Sequence, residues 1–156
     1  MSINLSDTTP AAPAANANVK WQTDVSGNVS GYVSATGTGL VNAVGIVIDG
    51  GGSTPATGSK GYTQIPYNCT ITGWTMLADV SGSAQITVKK STYAGFPTTS
   101  TIVASAPPAL SSAQKATNAT LTGWTTAITA GDILEFNLDS AATVTRIALE
   151  LQVART

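Results

Sequence analysis

Apolar and polar side chains alternate in short runs along this chain, with Gly, Ser, Asn, Asp and Pro gathered between the runs. A period of two puts every second side chain on one face of an extended strand, whereas a helix needs apolar residues every third and fourth position. No sustained helical period occurs, so the spacing predicts an all-β protein. Gly27–Ala35, Gly39–Asp49, Lys60–Pro66, Cys69–Val80 and Ala84–Lys90 read as strands, as do "TNATLTGWTTAI", "DILEFNL" and "TVTRIALELQV" further on. Ser81–Ser83 reads as a turn between two of them, and "DGGGS" at Asp49–Ser53 as a flexible one. The proline-bearing stretch Ser91–Ala116 reads as a long crossover with room for one or two short strands.

Two runs near the end can be placed against each other. Leu134, Phe136 and Leu138 share one face, and Thr143, Thr145, Ile147, Leu149, Leu151 and Val153 share a face of the next run. A tight turn at Ser140–Ala141 would set Leu134 opposite Ile147 inside and Glu135 opposite Arg146 outside, an opposite-charge cross-strand pair. A slip of one residue would break both matches. Seven or eight antiparallel strands with one long crossover predict a two-sheet antiparallel sandwich of jelly-roll type over residues 39–156. Residues 1–38 are expected to form an extended N-terminal arm. Its first twenty residues hold Pro10, Pro13 and several Ala and Asn, with too little apolar surface to fold alone.

Composition narrows the function. A chain of 156 residues suffices for one such domain and an arm. Only 7 basic and 8 acidic side chains occur, against 25 Thr and 15 Ser, and the net charge is −1. Nucleic acid is not an expected partner, because phosphate binding needs clustered Lys and Arg. No run of eighteen apolar residues is present, so no membrane insertion by a helix is expected. The N-terminus lacks the basic start and apolar stretch of a secretory signal, which points to synthesis in a cytoplasm. So few charges also leave sheet edges poorly guarded. Oligomerisation would cover them, and a closed homotrimer is the expected state.

The side chains offer little chemistry. Histidine is absent, which removes the commonest general base and metal ligand. Asp49, Asp79, Asp132 and Asp139 sit beside turn residues, where capping accounts for them. No enzymatic activity, cofactor or metal is expected. Cys69 has no apparent low-pKa partner and reads as a small buried side chain. The hexapeptide "TITGWT" at Thr70–Thr75 returns as "TLTGWT" at Thr120–Thr125. A glycine before an indole suits a bulge or a close crossing of backbones. The two copies are therefore expected to be equivalent strands packing over the two ends of one sandwich.

The segment "INLSDTTPAAPAANANVKWQTDVSGNVSGYV" (Ile3–Val33) resembles an N-terminal segment recurring in structural proteins of tailed bacteriophages. The doubled Thr-Gly-Trp-Thr, Leu110–Ala113 ("LSSA") and Ala130–Leu134 ("AGDIL") are similar to the β-domain of minor virion and tail-fibre proteins. Met76–Leu77 fits the pair of large apolar residues common after the first motif, whereas Lys89 stands where an aromatic is frequent. This resemblance implies a virion structural protein, a capsid decoration or head-fibre subunit whose partners are the major capsid protein or tail components. The arm would then anchor it through Ile3, Leu5, Pro10, Pro13, Val19 and Trp21. The rival implication is a tail-fibre or receptor-binding protein touching host surface glycans, with Trp74, Trp124 and Tyr93 as the contacts.

Overall fold

The computed structural model describes residues 19–23, 29–34 and 41–156, and every regular segment among them is a strand. Strand β1 (Val19–Thr23) pairs antiparallel with β2 (Val29–Ser34), from Val19 opposite Ser34 to Thr23 opposite Val29. Val, Thr, Trp and Tyr in these two runs favour extended, paired backbone. Residues 19–23 and 29–34 of the expected arm are thus two paired strands, while Ile3, Leu5, Pro10 and Pro13 lie outside the described residues. Contacts divide the chain between Thr38 and Gly39.

The second unit holds β3 (Val41–Asp49), β4 (Gly58–Gln64), β5 (Cys69–Ser91), β6 (Ser100–Thr101), β7 (Ala109–Asn118), β8 (Ala127–Ile128), β9 (Ile133–Ala142) and β10 (Arg146–Arg155). They form one antiparallel sheet in the order β3-β10-β5-β9-β4, with β6, β7 and β8 also pairing with β5. The all-β, antiparallel expectation holds.

The 23-residue β5 is the spine of this sheet. Its first half pairs with β10 and its second half with β9, while β7 runs along the opposite edge of both halves. Hence β9 and β10 lie end to end on one edge of β5. Partners keep the same offset from Leu149↔Met76 through Ile147↔Ala78 to Ala142↔Ser83, so the chain rounds the corner without gaining or losing a residue against β5.

Ser140–Ala141 is strand and not a turn, and β9 and β10 do not pair with each other. Glu135 therefore lies near Lys89, and Arg146 pairs with Asp49. Nor do Ser81–Ser83 turn the chain, since β5 runs through them.

The corner has identifiable causes. Asp79 accepts hydrogen bonds from the backbone N–H of Thr145 (3.1 Å) and Arg146 (3.0 Å), and from the Thr145 hydroxyl. Thr143 takes a positive φ of 74°. Gly82 lets the two backbones close, because a Cβ there would stand 2.5 Å from the Ala142 carbonyl oxygen and 2.8 Å from Val144 Cγ1. Val144 is fully buried in the angle. Strands that pass from one layer to another through such bends let a sheet fold over its own core.

One core results, shared by both halves of the curled sheet. Ile71, Trp74 and Met76 come from the first half of β5, Ile86 and Val88 from the second, Phe136 and its neighbours from β9, and Leu149 and Leu151 from β10. Fully burying a side chain of this size contributes ~1.5–3 kcal/mol. A register break between Gln152 and Val153 leaves Thr72 as an extra residue in β5, so Ile71 and Trp74 both point inward. A Cβ on Gly73 at this bulge would stand 3.1 Å from the Asn118 carbonyl oxygen and would displace the end of the Gln152 side chain.

The second copy of the motif is built differently. Thr120–Thr125 is not a strand: Leu121 and Gly123 have φ of 48° and 76°, and Trp124 is half-buried. The copies are not equivalent, because positive φ at two of these positions is incompatible with a sheet ladder.

Candidate functional site

Alternation along the bent spine gives each half of the sheet its own outer face. On the second half, Tyr62, Glu135, Lys89 and Thr101 form one cross-strand row over β4, β9, β5 and β6. Ser59, Asn137 and Thr87 form the next row, roughly 7 Å further along. Lys60 is the extra residue of an irregularity in β4, so Ser59 and Tyr62 share a face, with the Ser59 hydroxyl 3.3 Å from the tyrosine oxygen. Asp139 is the extra residue of a bulge in β9. Its carboxylate accepts from Thr87 Oγ1 (2.7 Å), Asn137 Nδ2 (2.7 Å) and Gln85 Nε2 (3.3 Å). It lies within a strand, so its expected turn-capping role is corrected.

Glu135 is buried among these groups. Burial alone would raise its carboxyl, but hydrogen bonds from Thr99 and Ser59 and the Lys89 ammonium outweigh that and hold it below its ordinary value of 4.5. Thr99 belongs to the loop after β5, which also carries Phe96 and Tyr93. The Phe96 ring meets Tyr62 edge to face, with centroids 5.0 Å apart and planes at 90°. Tyr62 remains 50% exposed despite that contact. This half thus presents two adjoining aromatic rings beside a ladder of hydroxyl, amide and carboxylate groups fixed by one another.

The outer face of the first half carries an apolar row by contrast. Val47, Ala148, Leu77 and Lys115 make one row over β3, β10, β5 and β7, and Gly45, Glu150, Thr75 and Thr117 make the next. Small side chains at Ala43, Gly45 and Ala148 leave a depression of about 240 Å³ beside Val47. A second depression of about 390 Å³ lies over Thr75, Leu77 and Thr117. Gly45 is required where it stands, since a Cβ there would meet the Leu149 carbonyl oxygen at 2.2 Å.

Strand β3 closes this half, and no strand pairs with its outer side among the described residues. The edge strand β4 carries Lys60 and a break in register, and β7 carries Lys115, register shifts and a positive φ at Ser112. Strand β3 runs in unbroken register with β10 and has no charge from Val41 to Ile48.

The expected contact residues scatter. Trp74 is 7% exposed and belongs to the core, so its ring offers no face to a ligand. Trp124 is held by its indole N–H, which donates to the Ala106 carbonyl at 2.9 Å. Tyr93 is 76% exposed in the loop that carries Phe96. Val19 and Trp21 lie on β1. Tyr62 and Phe96 were missed by the sequence reading, yet the alternation Lys60, Tyr62, Gln64 already sets an aromatic among polar residues on an outward face.

The remaining reactive groups have structural partners. Cys69 is buried, and burial pushes its thiol up while Arg155 partly offsets this. Asp132 accepts from the Thr129 backbone N–H (2.9 Å) and pairs with Lys90 (3.1 Å). Asp49 caps its turn through the Gly51 N–H, which with Arg146 holds its carboxyl below the ordinary range. Among the described residues no group of three or more acids and thiols could hold a metal ion. Comparison with family models, curated proteins and solved structures finds no match to the chain.

Proposed function

We propose that this chain is a virion structural protein of a tailed bacteriophage, a capsid decoration or head-fibre subunit that acts by packing against other protein subunits. The observation that carries this reading is β3, an edge strand in unbroken register with no charge from Val41 to Ile48 and with Val41 and Val47 exposed beside an apolar row of the sheet. Natural sheets guard their edges with charge, proline or bulges, and an unguarded edge invites another chain. The resemblance of Ile3–Val33 to phage segments supports the class of particle. In this reading the curled sheet is a jelly-roll-type sandwich joined through β5, and the N-terminal segment ties it to the capsid. A closed homotrimer would use β3 heterologously, against a different surface of the next subunit.

Labelling purified particles with antibody tests the assignment. Many copies spread over the shell are expected, and a signal confined to the tail would transfer the chain to the tail-fibre class. Deleting residues 2–20 is expected to abolish attachment while leaving the β-domain folded. Full attachment of that truncation would remove the anchoring role from Ile3, Leu5, Pro10 and Pro13. The tail-fibre reading keeps one observation in its favour, the aromatic and polar face around Tyr62.

A further inference from the structure

We propose that the outer face of β4, β9 and the second half of β5 is a binding site for uncharged oligosaccharide, with Tyr62 and Phe96 as the stacking wall. This inference deepens the rival reading of the chain and stands on a surface separate from β3.

Sugar rings present an apolar face of C–H groups and a rim of hydroxyls. A site for them needs an exposed aromatic ring next to side chains that can both donate and accept. Aromatic surface within a polar rim marks a binding site more often than an accident of folding. Here Tyr62 and Phe96 supply the rings, and each remains substantially exposed after their mutual contact.

The polar partners are already oriented. Asp139 is held by Thr87, Gln85 and Asn137, so its carboxylate does not have to be ordered when a ligand arrives. Prior ordering lowers the entropy cost of binding. Each amide in that set uses only part of its capacity on Asp139, which leaves the Asn137 and Gln85 carbonyl oxygens to accept from a sugar hydroxyl. The rows lie roughly 7 Å apart and the strands about 4.8 Å apart, a surface long enough for more than one ring.

Charge decides the class of saccharide. Two carboxylates, Glu135 and Asp139, stand beside Lys89, and Lys60 of the edge strand β4 brings the count to two negative and two positive charges, so this face carries no net charge. Acidic and phosphorylated sugars would meet two carboxylates and no cluster of cations, and so gain nothing from their charge. Uncharged hexose or N-acetylhexosamine chains remain.

Titration of the full chain with a panel of soluble oligosaccharides, followed by NMR, tests the site. The panel contains gluco-, manno- and galacto-oligosaccharides, N-acetylglucosamine oligomers and sialyllactose. Saturable shifts with at least one neutral member are expected, centred on the amides of Tyr62, Lys89 and Asn137, and none with sialyllactose. Tyr62→Ala and Asp139→Asn should each weaken the binding by about tenfold or more, with the melting temperature recorded to confirm folding. Because Phe96 lies in a loop outside the ladder, Phe96→Ala keeps the test valid should a strand variant fail to fold. The proposal is overturned if no neutral member binds at about 10 mM, or if sialyllactose binds best. Binding unchanged in Tyr62→Ala and Phe96→Ala also overturns it. Particle labelling would be untouched by any of these failures, so the site and the structural assignment fall separately.

Discussion

The two outer faces of this sheet are joined through the one spine strand β5 and have opposite character. Over β3, β10 and the first half of β5 the exposed row runs through Val47, Ala148 and Leu77, side chains that form no hydrogen bonds. Over β4, β9 and the second half of β5 the row runs through Tyr62, Glu135 and Lys89, and the next holds side chains tied to Asp139. Both faces belong to one bent ribbon with one core behind it. A single strand can therefore present two surfaces, provided a corner separates them. The first surface suits a neighbouring protein and the second a hydrogen-bonding ligand.

Because the core is common, damage to it should not respect the boundary between the faces. Phe136 is fully buried and contacts a core drawn from both halves. Phe136→Ala should cost about 3–5 kcal/mol of unfolding free energy, measured by urea denaturation. The transition should remain single, with near-equal loss at probes in either half. Two separate transitions would show that the halves are independent layers and would dissolve the comparison.

The corner is the next point at which to break it. Gly82→Ala places a methyl 2.5 Å from the Ala142 carbonyl oxygen, a backbone atom that cannot step aside cheaply. A loss of about 1–3 kcal/mol is expected. Hydrogen exchange should show opening around Asp79 and Thr143–Arg146 before either face. An unchanged protein would mean that Gly82 does not set the bend.

That corner also explains what could and could not be read in the sequence. The inward faces of β9 and β10 were legible, because Leu134, Phe136 and Leu138, then Ile147, Leu149 and Leu151, alternate without interruption. Their pairing was not. Ser140 and Ala141 look like a turn, but whether a chain doubles back or runs on depends on what lies alongside. Here the answer comes from Asp79 and Gly82, some sixty residues earlier. The same limit hid the site. Tyr62 was readable as an outward aromatic, but its meeting with Phe96 and the bulge that aims Asp139 arise from tertiary register. Two identical tetrapeptides went to a strand and to a turn for the same reason, since long-range pairing overrides local preference.

Acid should separate the faces more finely. Glu135 in the polar face and Asp79 at the corner both have carboxyls held below their ordinary values of 4.5 and 3.8. Hydrogen bonds from Thr99 and Ser59, with Lys89, outweigh burial at Glu135; at Asp79 the Thr145 hydroxyl and Arg146 N–H dominate. A carboxyl depressed in the folded state stabilises it fully above the unfolded pKa. As pH falls below about 4.5, the unfolded chain takes up protons first and stability declines. Denaturation at pH 7, 4 and 3 should follow that slope. In Glu135→Gln the slope should be shallower and the melting temperature at pH 7 lower by a few degrees. An acid profile identical to that of the unaltered chain would remove Glu135 as a contributor.

The smallest expected change in stability falls on the apolar face, and there the functional readout should be largest. Val47 is 63% exposed on an edge strand, so Val47→Lys should alter unfolding free energy by no more than about 0.5 kcal/mol. A lysine in that position is the device by which natural sheets keep their edges single. Sedimentation equilibrium of the full chain should then show self-association lost, while NMR titration with a neutral oligosaccharide on the Tyr62 face proceeds unchanged. The two results together would assign assembly to one face and ligand to the other. Association that survives the substitution would move the assembly role to another edge. Loss of both properties from one lysine would mean that the faces communicate through the β5 corner, and the division between them would have to be redrawn there.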